Sequence, residues 1–423
     1  TGSYDAAKQR YTLRLSQSCA ATPGQPEKQP YHIPVTVGLV GPNGEELHLQ
    51  LAGDSSVTTE RVLSLQTTAQ EFVFEKVTVA PVPSLLRDFS APVVLEFDYT
   101  AAELAHLLAH DSDPFNRCEA GQRLASQLII AATAAISAGK TPSWSADFAK
   151  AAARVLAQSA TDPAFAAEAL TLPGEATLAE QLDVVDPDAL HAARNGLRRF
   201  LAEQLGGEFR ACYESLTPKG IYKPDSHDAA RRALRNLCLG YLSETDSAET
   251  RALAKKQLDT ADNMTDQFAA LSVLAQSEGE ERVLALEAFY TRWKDEALVI
   301  DKWLQVQSTS RRPGTLAEVE RLVAHPAFDL RNPNKVYALL RAFGSNHVRF
   351  HAADGSGYRF LAEQTRTLDG INPQVAARLA RCFDRWRRFD ATRQAHARAA
   401  LEMLRNHKGL SRDVFEIVER SLG

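Results

Sequence analysis

The sequence predicts a mainly α protein with an all-β domain at its N-terminus. The expected architecture is an immunoglobulin-like β-sandwich over residues 1–100, followed by an α-solenoid or HEAT-like helical bowl over residues 101–423. Three observations carry this reading. Apolar residues alternate in short runs up to Tyr99, they recur at three- and four-residue spacing beyond it, and Asx-Pro pairs that start helices occur only in the second region. At 423 residues the chain also exceeds what one ordinary core can organise, so two or more domains are expected.

The β elements follow in order. "YTLRLSQ" from Tyr11, "HIPVTVGLV" from His32, "EELHLQL" from Glu45, "RVLSLQ" from Arg61, "EFVFEKVTV" from Glu71 and "PVVLEFDY" from Pro92 are each bounded by Pro, Gly, Asn, Asp or Ser. Alternation over six to nine residues leaves one apolar face per strand to bury, which two facing sheets satisfy. Between the second and third runs, Asn43-Gly44 predicts a hairpin with a type I′ turn, in which both central residues take positive φ. About seven short strands in a hundred residues fit a small sandwich.

After Tyr99 the helices announce their starts. Asp113-Pro114, Asp162-Pro163, Asp186-Pro187, Asn332-Pro333 and Asn372-Pro373 each offer a side-chain acceptor at the N-cap and a proline at the first helical position. The last two starts are forty residues apart, near the period of stacked helical pairs, and some sixteen helices are expected in all. "LASQLIIAATAAISAG" from Leu124 contains Ser126 and Gln127 and reads as a buried helix instead of a membrane span.

Bulk properties exclude several functions. A formal net charge of -5 provides no basic field for nucleic acid, and no membrane segment is visible. The five cysteines stand singly, which suggests buried thiols and neither a disulfide framework nor a zinc ribbon. A cytoplasmic location follows as the default. The opening "TGSYDAAKQRYTLRLS" has no signal-peptide layout and reads as a chain cut from something longer.

Residue chemistry gives no catalytic constellation. His106 and His110 have metal-ligand spacing on a helix, but Leu107 stands where a zinc peptidase needs its glutamate base, so no metal is expected here. "HAADGSGY" from His351 lacks the lysine of a phosphate loop, and Ser356 lacks a nucleophile-elbow context; Gly355 and Gly357 are expected to permit positive φ in a reversal between helices. The basic stretch "DRWRRFDATRQ" from Asp384 reads as solvated arginines beside buried Trp386 and Phe389. In "ADNMTDQFAALS", Asn263 and Asp266 are expected to hold a turn.

At these same stretches the chain resembles the C-terminal half of the bacterial aminopeptidase N family, the alanyl aminopeptidase branch of the zinc metallopeptidases. The matching blocks include "KQPYHIPVTVGL", "PVPSLLRDFSAPVVLEF", "AHDSDPFNRCEA", "ADNMTDQFAALS", "LVIDKWLQVQ", "NPNKVYALLRAF", "FHAADGSGYRFLAE" and "NPQVAARL", in the family's order. The resemblance implies a sandwich that links a catalytic domain to a helical bowl closing over the active site. The family's H-E-x-x-H and G-A-M-E-N motifs are missing here, since both belong to its N-terminal half. By resemblance, therefore, this chain contributes no catalytic residue and no cofactor. The parent enzyme uses zinc, and the partners are peptide substrates and the N-terminal catalytic domain of the same chain. The resemblance places Gln374 at the pocket for the first substrate residue and Arg378, one turn on, facing the chamber. Tyr337 stands where some relatives carry a second chamber arginine. The competing reading is a stand-alone helical-repeat scaffold for protein partners, which a start codon near Thr1 would favour.

Overall fold

The computed structural model describes residues 1–218 and 220–423. Seven strands form two antiparallel sheets. β1 (Gly2–Asp5), β2 (Arg10–Ser16), β6 (Ala69–Glu75) and β4 (Gln50–Leu51) make one sheet in the order β1-β2-β6-β4. β5 (Glu60–Leu65), β3 (Ile33–Val40) and β7 (Val82–Leu85) make the other, in the order β5-β3-β7. Alternation sets the register. Leu13 faces Phe72 and Val37 faces Leu85, and the inward Leu13, Val37, Leu39, Leu49, Leu63 and Phe74 are almost wholly buried.

Three sequence expectations are corrected here. The run "PVVLEFDY" is no strand: its alternation does pack Leu95 and Phe97 against the sandwich core, but no neighbouring strand takes its backbone. The Phe97 carbonyl instead accepts from the Arg123 guanidinium, and the Tyr99 hydroxyl donates to the Pro83 carbonyl. The expected third run is paired only at Gln50–Leu51, with isolated bridges at Glu46 and Leu49. The hairpin at Asn43-Gly44 forms, yet Gly44 alone takes positive φ (85°) while Asn43 does not. Gly44 N–H donates to the Gly41 carbonyl, so a Gly41-to-Gly44 turn ends in a left-handed glycine.

All five Asx-Pro pairs start helices: Pro114–Ser137, Pro163–Ala169, Pro187–Gln204, Pro333–Val336 and Pro373–Ala380. Asp162, Asp186, Asn332 and Asn372 each accept a first-turn N–H through their side chains, and Asp113 accepts from the Asn116 amide. Thr100 and Glu103 close a reciprocal capping box on the helix Ala101–His110. Among the described residues, no helix is long and apolar enough to cross a membrane.

By packing, the chain gathers into two compact units: Thr1–Gln127 with Ser145–Leu172, and Leu128–Trp144 with Pro173–Gly423. The first unit holds the sandwich together with the Ala101–His110 helix and its neighbours, and at its polar centre lies Arg87. This guanidinium, 2% exposed, donates to Ser84 Oγ (2.8 Å), Glu46 Oε1 (2.8 Å) and Asp111 Oδ1 (2.9 Å). Asn116 completes the contact by donating to Ser84 Oγ and the Leu85 carbonyl. Burial holds the Asp111 carboxyl above the usual carboxylate range, against the pull of Arg87.

Removing one partner of a buried ion pair strands the other. Arg87→Met is expected to lower the unfolding free energy of this unit by about 3–5 kcal/mol in urea titrations. Adding Asp111→Asn should recover part of that loss, whereas a cost below about 1 kcal/mol for Arg87→Met would show that the pair does not hold the unit together.

Candidate functional site

The helix Pro373–Ala380 has two faces. Val375, Ala376, Leu379 and Ala380 are buried, while Gln374 and Arg378, four residues apart, share the exposed side. Asn372 Oδ1 accepts the Val375 N–H at 3.2 Å, and Pro373 fixes the first helical φ, so the start of this face is rigid. Ala377, expected to pack with its neighbours, is half-buried.

Beside it runs a helix opened by Asn332 and Pro333. Lys335 anchors it through Asp301 (2.8 Å) and the Ala297 carbonyl (2.9 Å). From Tyr337 to Arg341 the backbone is π-helical, a widening often found at functional sites. Ala338, Leu339 and Leu340 are buried, which leaves Tyr337 half-buried and Arg341 exposed. Arg378 Nη1 donates to Tyr337 Oη at 3.1 Å, and the Arg341 guanidinium lies 5.8 Å from the Tyr337 ring centroid. Thus Arg378 and Tyr337 meet directly and Gln374 lies one turn along the same helix. Arg341 is the member that sequence reading missed, although its i, i+4 spacing from Tyr337 was available.

A second feature was not foreseen at all. The helical unit forms a solvent-open cavity of about 740 Å³ lined by Glu175, His191, Arg194, Arg198, Glu244 and Arg311 among others. Gln374, Arg378 and Tyr337 do not line it. The cavity wall is a charge-paired chain. His191 Nδ1–H donates to Glu175 Oε1 (2.6 Å), and Asn195 Nδ2 donates to His191 Nε2 (2.7 Å). Arg311 then donates to Asn195 Oδ1 and to both Glu244 oxygens, and Arg198 Nε meets Glu244 at 3.1 Å. Burial works against ionising Glu175, yet the His191 hydrogen bond and nearby cations keep its carboxyl below the ordinary range. Burial also depresses His347, whose Nδ1 has no hydrogen-bond partner. The signal for this wall was present as Arg194, Arg198 and Arg199 in "RNGLRRF". The partner of Arg198 and Arg199, Glu244, lies 45 or more residues away and was not legible.

The remaining sequence candidates resolve into structural roles. His106 Nε2–H donates to the Gly41 carbonyl at 2.9 Å and stacks on His110, which commits one of the two imidazoles to a backbone contact. Among the described residues, the one group of three metal-type ligands is the largely exposed Asp225, His227 and Asp228 at a helix start. Gly355 does take positive φ (70°), but Gly357 is helical, and a side chain there would press on the Phe350 carbonyl at 2.3 Å. Close packing, not φ, explains that second glycine. Ser356 Oγ donates to Asp354 Oδ1 at 2.6 Å. Asn263 Oδ1 caps its helix by accepting the Asp266 N–H at 2.9 Å. Trp386 and Phe389 are buried as expected, whereas the arginines around them are not simply solvated. Arg385 and Arg388 pair with Glu180, and Arg393 is itself buried. Of the cysteines only Cys238 is buried, and Cys19 is exposed.

Comparison with known proteins extends over the whole chain. A family described as "Domain of unknown function (DUF3458_C) ARM repeats" matches residues 101–423, and one described as "Domain of unknown function (DUF3458) Ig-like fold" matches residues 1–98. The chain is 39% identical over 420 residues to aminopeptidase N of Escherichia coli (strain K12) and 37% identical over 420 residues to that of Haemophilus influenzae. Each alignment covers 99% of this chain and 48% of the relative, so the chain spans about half the length of the curated relatives it matches. The crystal structure of Legionella pneumophila aminopeptidase A in complex with aspartic acid superimposes with a TM-score of 0.82 at 30% identity, over 100% of this chain and 48% of that one. The predicted fold class, a β-sandwich followed by helical repeats, is borne out.

The buried histidines give a pH dependence with a definite sign. His347 and His351 are held below the ordinary histidine value of 6.5, first by burial, so the unfolded chain binds protons there more readily than the folded one. Stability is therefore lost as pH falls below about 6.5, and Glu175, whose folded pKa is lowered, adds a further loss below about 4.5. The urea midpoint of the helical unit should fall between pH 7.5 and 5.5, and fall less in His351→Gln. An unchanged midpoint across that range would contradict the assignment.

Proposed function

We propose, from the premise that the chain belongs to the DUF3458_C family of ARM repeats and is homologous to the C-terminal part of aminopeptidase N, that it forms the substrate-chamber wall of a zinc-dependent enzyme removing N-terminal residues from peptides. The observation that carries this reading is the exposed pair Gln374 and Arg378 on a helix whose opposite face is buried and whose start is capped. Side chains held this way recognise without reacting. The Gln374 amide donates and accepts at the pocket for the first residue, the Arg378 guanidinium meets carbonyl or carboxylate oxygens, and Tyr337 orients Arg378.

Zinc, where bound, supplies Lewis-acid activation of water and of the scissile carbonyl. The residues of this chain do not fit such a centre. His106 is committed to the Gly41 carbonyl, and the Asp225, His227 and Asp228 group is largely exposed, with two neighbouring acids and one histidine at a helix start. The metal and the base are therefore assigned to the half of the relatives' length outside this chain, and this chain alone should not hydrolyse peptides. That N-terminal catalytic half, as part of one polypeptide, is the proposed partner, and a cytoplasmic location is part of the same reading. So is the division into a linking sandwich, 1–100, and a helical domain, 101–423. A stand-alone scaffold is not favoured, because the homology to one enzyme runs through 99% of the chain.

In the complete enzyme, Gln374→Ala is expected to reorder the preference among first residues. Arg378→Ala should raise KM for tripeptides and longer substrates by about tenfold, the scale of one charge-assisted hydrogen bond, with kcat little changed. If the ranking and the KM values stay at wild-type levels in both variants, this helix is not part of the chamber.

A further inference from the structure

We infer that Cys212 and Cys238 form an oxidation-sensitive thiol pair, a modification site at which a hydroperoxide converts the two thiols into a reversible disulfide. Cys212 takes the oxidant and Cys238 closes the bridge.

Helix register brings the two sulfurs together. The helices Gly206–Ser215 and Ser226–Leu242 pack against each other, and the order of their contacts makes them antiparallel. Phe209 stacks on Tyr241 with ring centroids 4.5 Å apart and planes within 9° of parallel. Three residues forward on the first helix and three back on the second, Cys212 comes opposite Cys238, on the same side of each helix as the stacked rings. The next rung is fixed too: Tyr213 Oη accepts from Arg235 Nη2 at 2.9 Å, and the Arg235 guanidinium lies 4.5 Å from the Tyr213 ring centroid. The thiols therefore sit between two buried rungs, in hydrogen-bonding contact with each other. Side chains that already point at one another meet the first geometric demand of a disulfide.

The two sulfurs differ in what reaches them. Cys238 is wholly buried, whereas Cys212 is partly open to solvent. The hydrogen bond from Cys212, and then burial, push the Cys238 thiol far above its ordinary value, so Cys238 is not the group that attacks an oxidant. It needs no solvent access of its own, because its target is the neighbouring sulfur. A pair that served packing alone would need neither a polar contact between the sulfurs nor an opening to solvent.

In the first step the Cys212 thiolate attacks one oxygen of the hydroperoxide. The O–O bond breaks, the other oxygen leaves and takes up a proton, and Cys212 becomes a sulfenic acid. The Cys238 sulfur then attacks the Cys212 sulfur, the S–O bond breaks, and the departing hydroxide takes the Cys238 proton and leaves as water. Together the two thiols have lost two electrons, which the peroxide bond has gained. A dithiol reverses the change by exchange. The bridge ties to its neighbour the helix that runs into Ser243–Thr245, where Glu244 holds Arg198 and Arg311.

The test treats the complete enzyme in its native state with hydrogen peroxide, caps the remaining thiols with N-ethylmaleimide after unfolding, and maps the peptides by mass spectrometry without reduction. The expected product joins the Cys212 and Cys238 peptides, favoured by about tenfold or more over any other pairing because the fold holds these two sulfurs together, and dithiothreitol separates it. Cys238→Ser should leave Cys212 as a sulfenic acid that dimedone traps, and Cys212→Ser should leave Cys238 unoxidised. Recovery of both cysteines from the native wild type as separate alkylated or over-oxidised peptides overturns the inference, as does a bridge no more frequent than other pairings. Oxidation of Cys238 in folded Cys212→Ser as readily as in the wild type overturns it too. Should either serine variant fail to fold, the wild-type peptide map decides alone.

Discussion

Arg393 ties the two ends of the helical unit together, and the arrangement of everything between them depends on it. Its side chain is 6% exposed, so its charge requires partners. Nε donates to the His351 carbonyl at 2.6 Å, and the remaining nitrogens meet Asp390 on its own helix and Asp188 some two hundred residues earlier. Next to it, Val185 N–H donates to the Arg388 carbonyl at 2.7 Å in a short parallel bridge, and Arg388 donates to the Leu182 carbonyl. Closing a chain of that length costs conformational entropy that grows only slowly with loop size, so a few buried, charge-assisted contacts suffice to keep it closed.

Closure has two consequences for function. The helix Pro187–Gln204 is brought against His347–Phe350, which completes the wall of the polar cavity from Glu175 and His191 to His347. The helix Pro373–Ala380 is then boxed between Ser356–Asp369 and Arg412–Leu422, with Asp369 accepting from Ser411 and Trp386 Nε1 donating to the Ser421 carbonyl. A recognition surface needs such backing, because side chains that must order themselves on binding lose much of the contact energy to entropy. The cavity and the exposed face differ in kind. In the cavity, Glu244 pairs with Arg198 and Arg311, which makes that stretch of the wall a brace, whereas Arg378 on the exposed face meets the neutral Tyr337 hydroxyl.

What was legible in the sequence was local. Each Asx-Pro pair carries its own cap, so five helix starts could be read without knowing the fold. Alternation likewise named the core residues of the sandwich even where, at "PVVLEFDY", it did not name a strand: burial of Leu95 and Phe97 needs only periodicity, while a strand needs a neighbour. The reading failed where partners are remote. Arg388 and Arg393 look like solvent-facing charges until helices two hundred residues away deliver Glu180 and Asp188. The Arg198–Glu244 and Arg311–Asn195 contacts were hidden for the same reason. Gln374, Arg378 and Tyr337 came from family resemblance and not from their chemistry, and Arg341 became visible only when its neighbour across 37 residues, Arg378, was found on the same phenol.

The central claim is that the exposed face of the Pro373–Ala380 helix, with Tyr337, lines the chamber in which a peptide binds. The most direct measurement is a crystal structure of the complete enzyme with an uncleavable tripeptide free acid. The expected result is the first residue beside Gln374 and a carbonyl or carboxylate oxygen of the peptide within hydrogen-bonding distance of Arg378. A peptide bound away from this helix, for instance in the Glu244-lined cavity, with neither Gln374 nor Arg378 in contact with it, would contradict it.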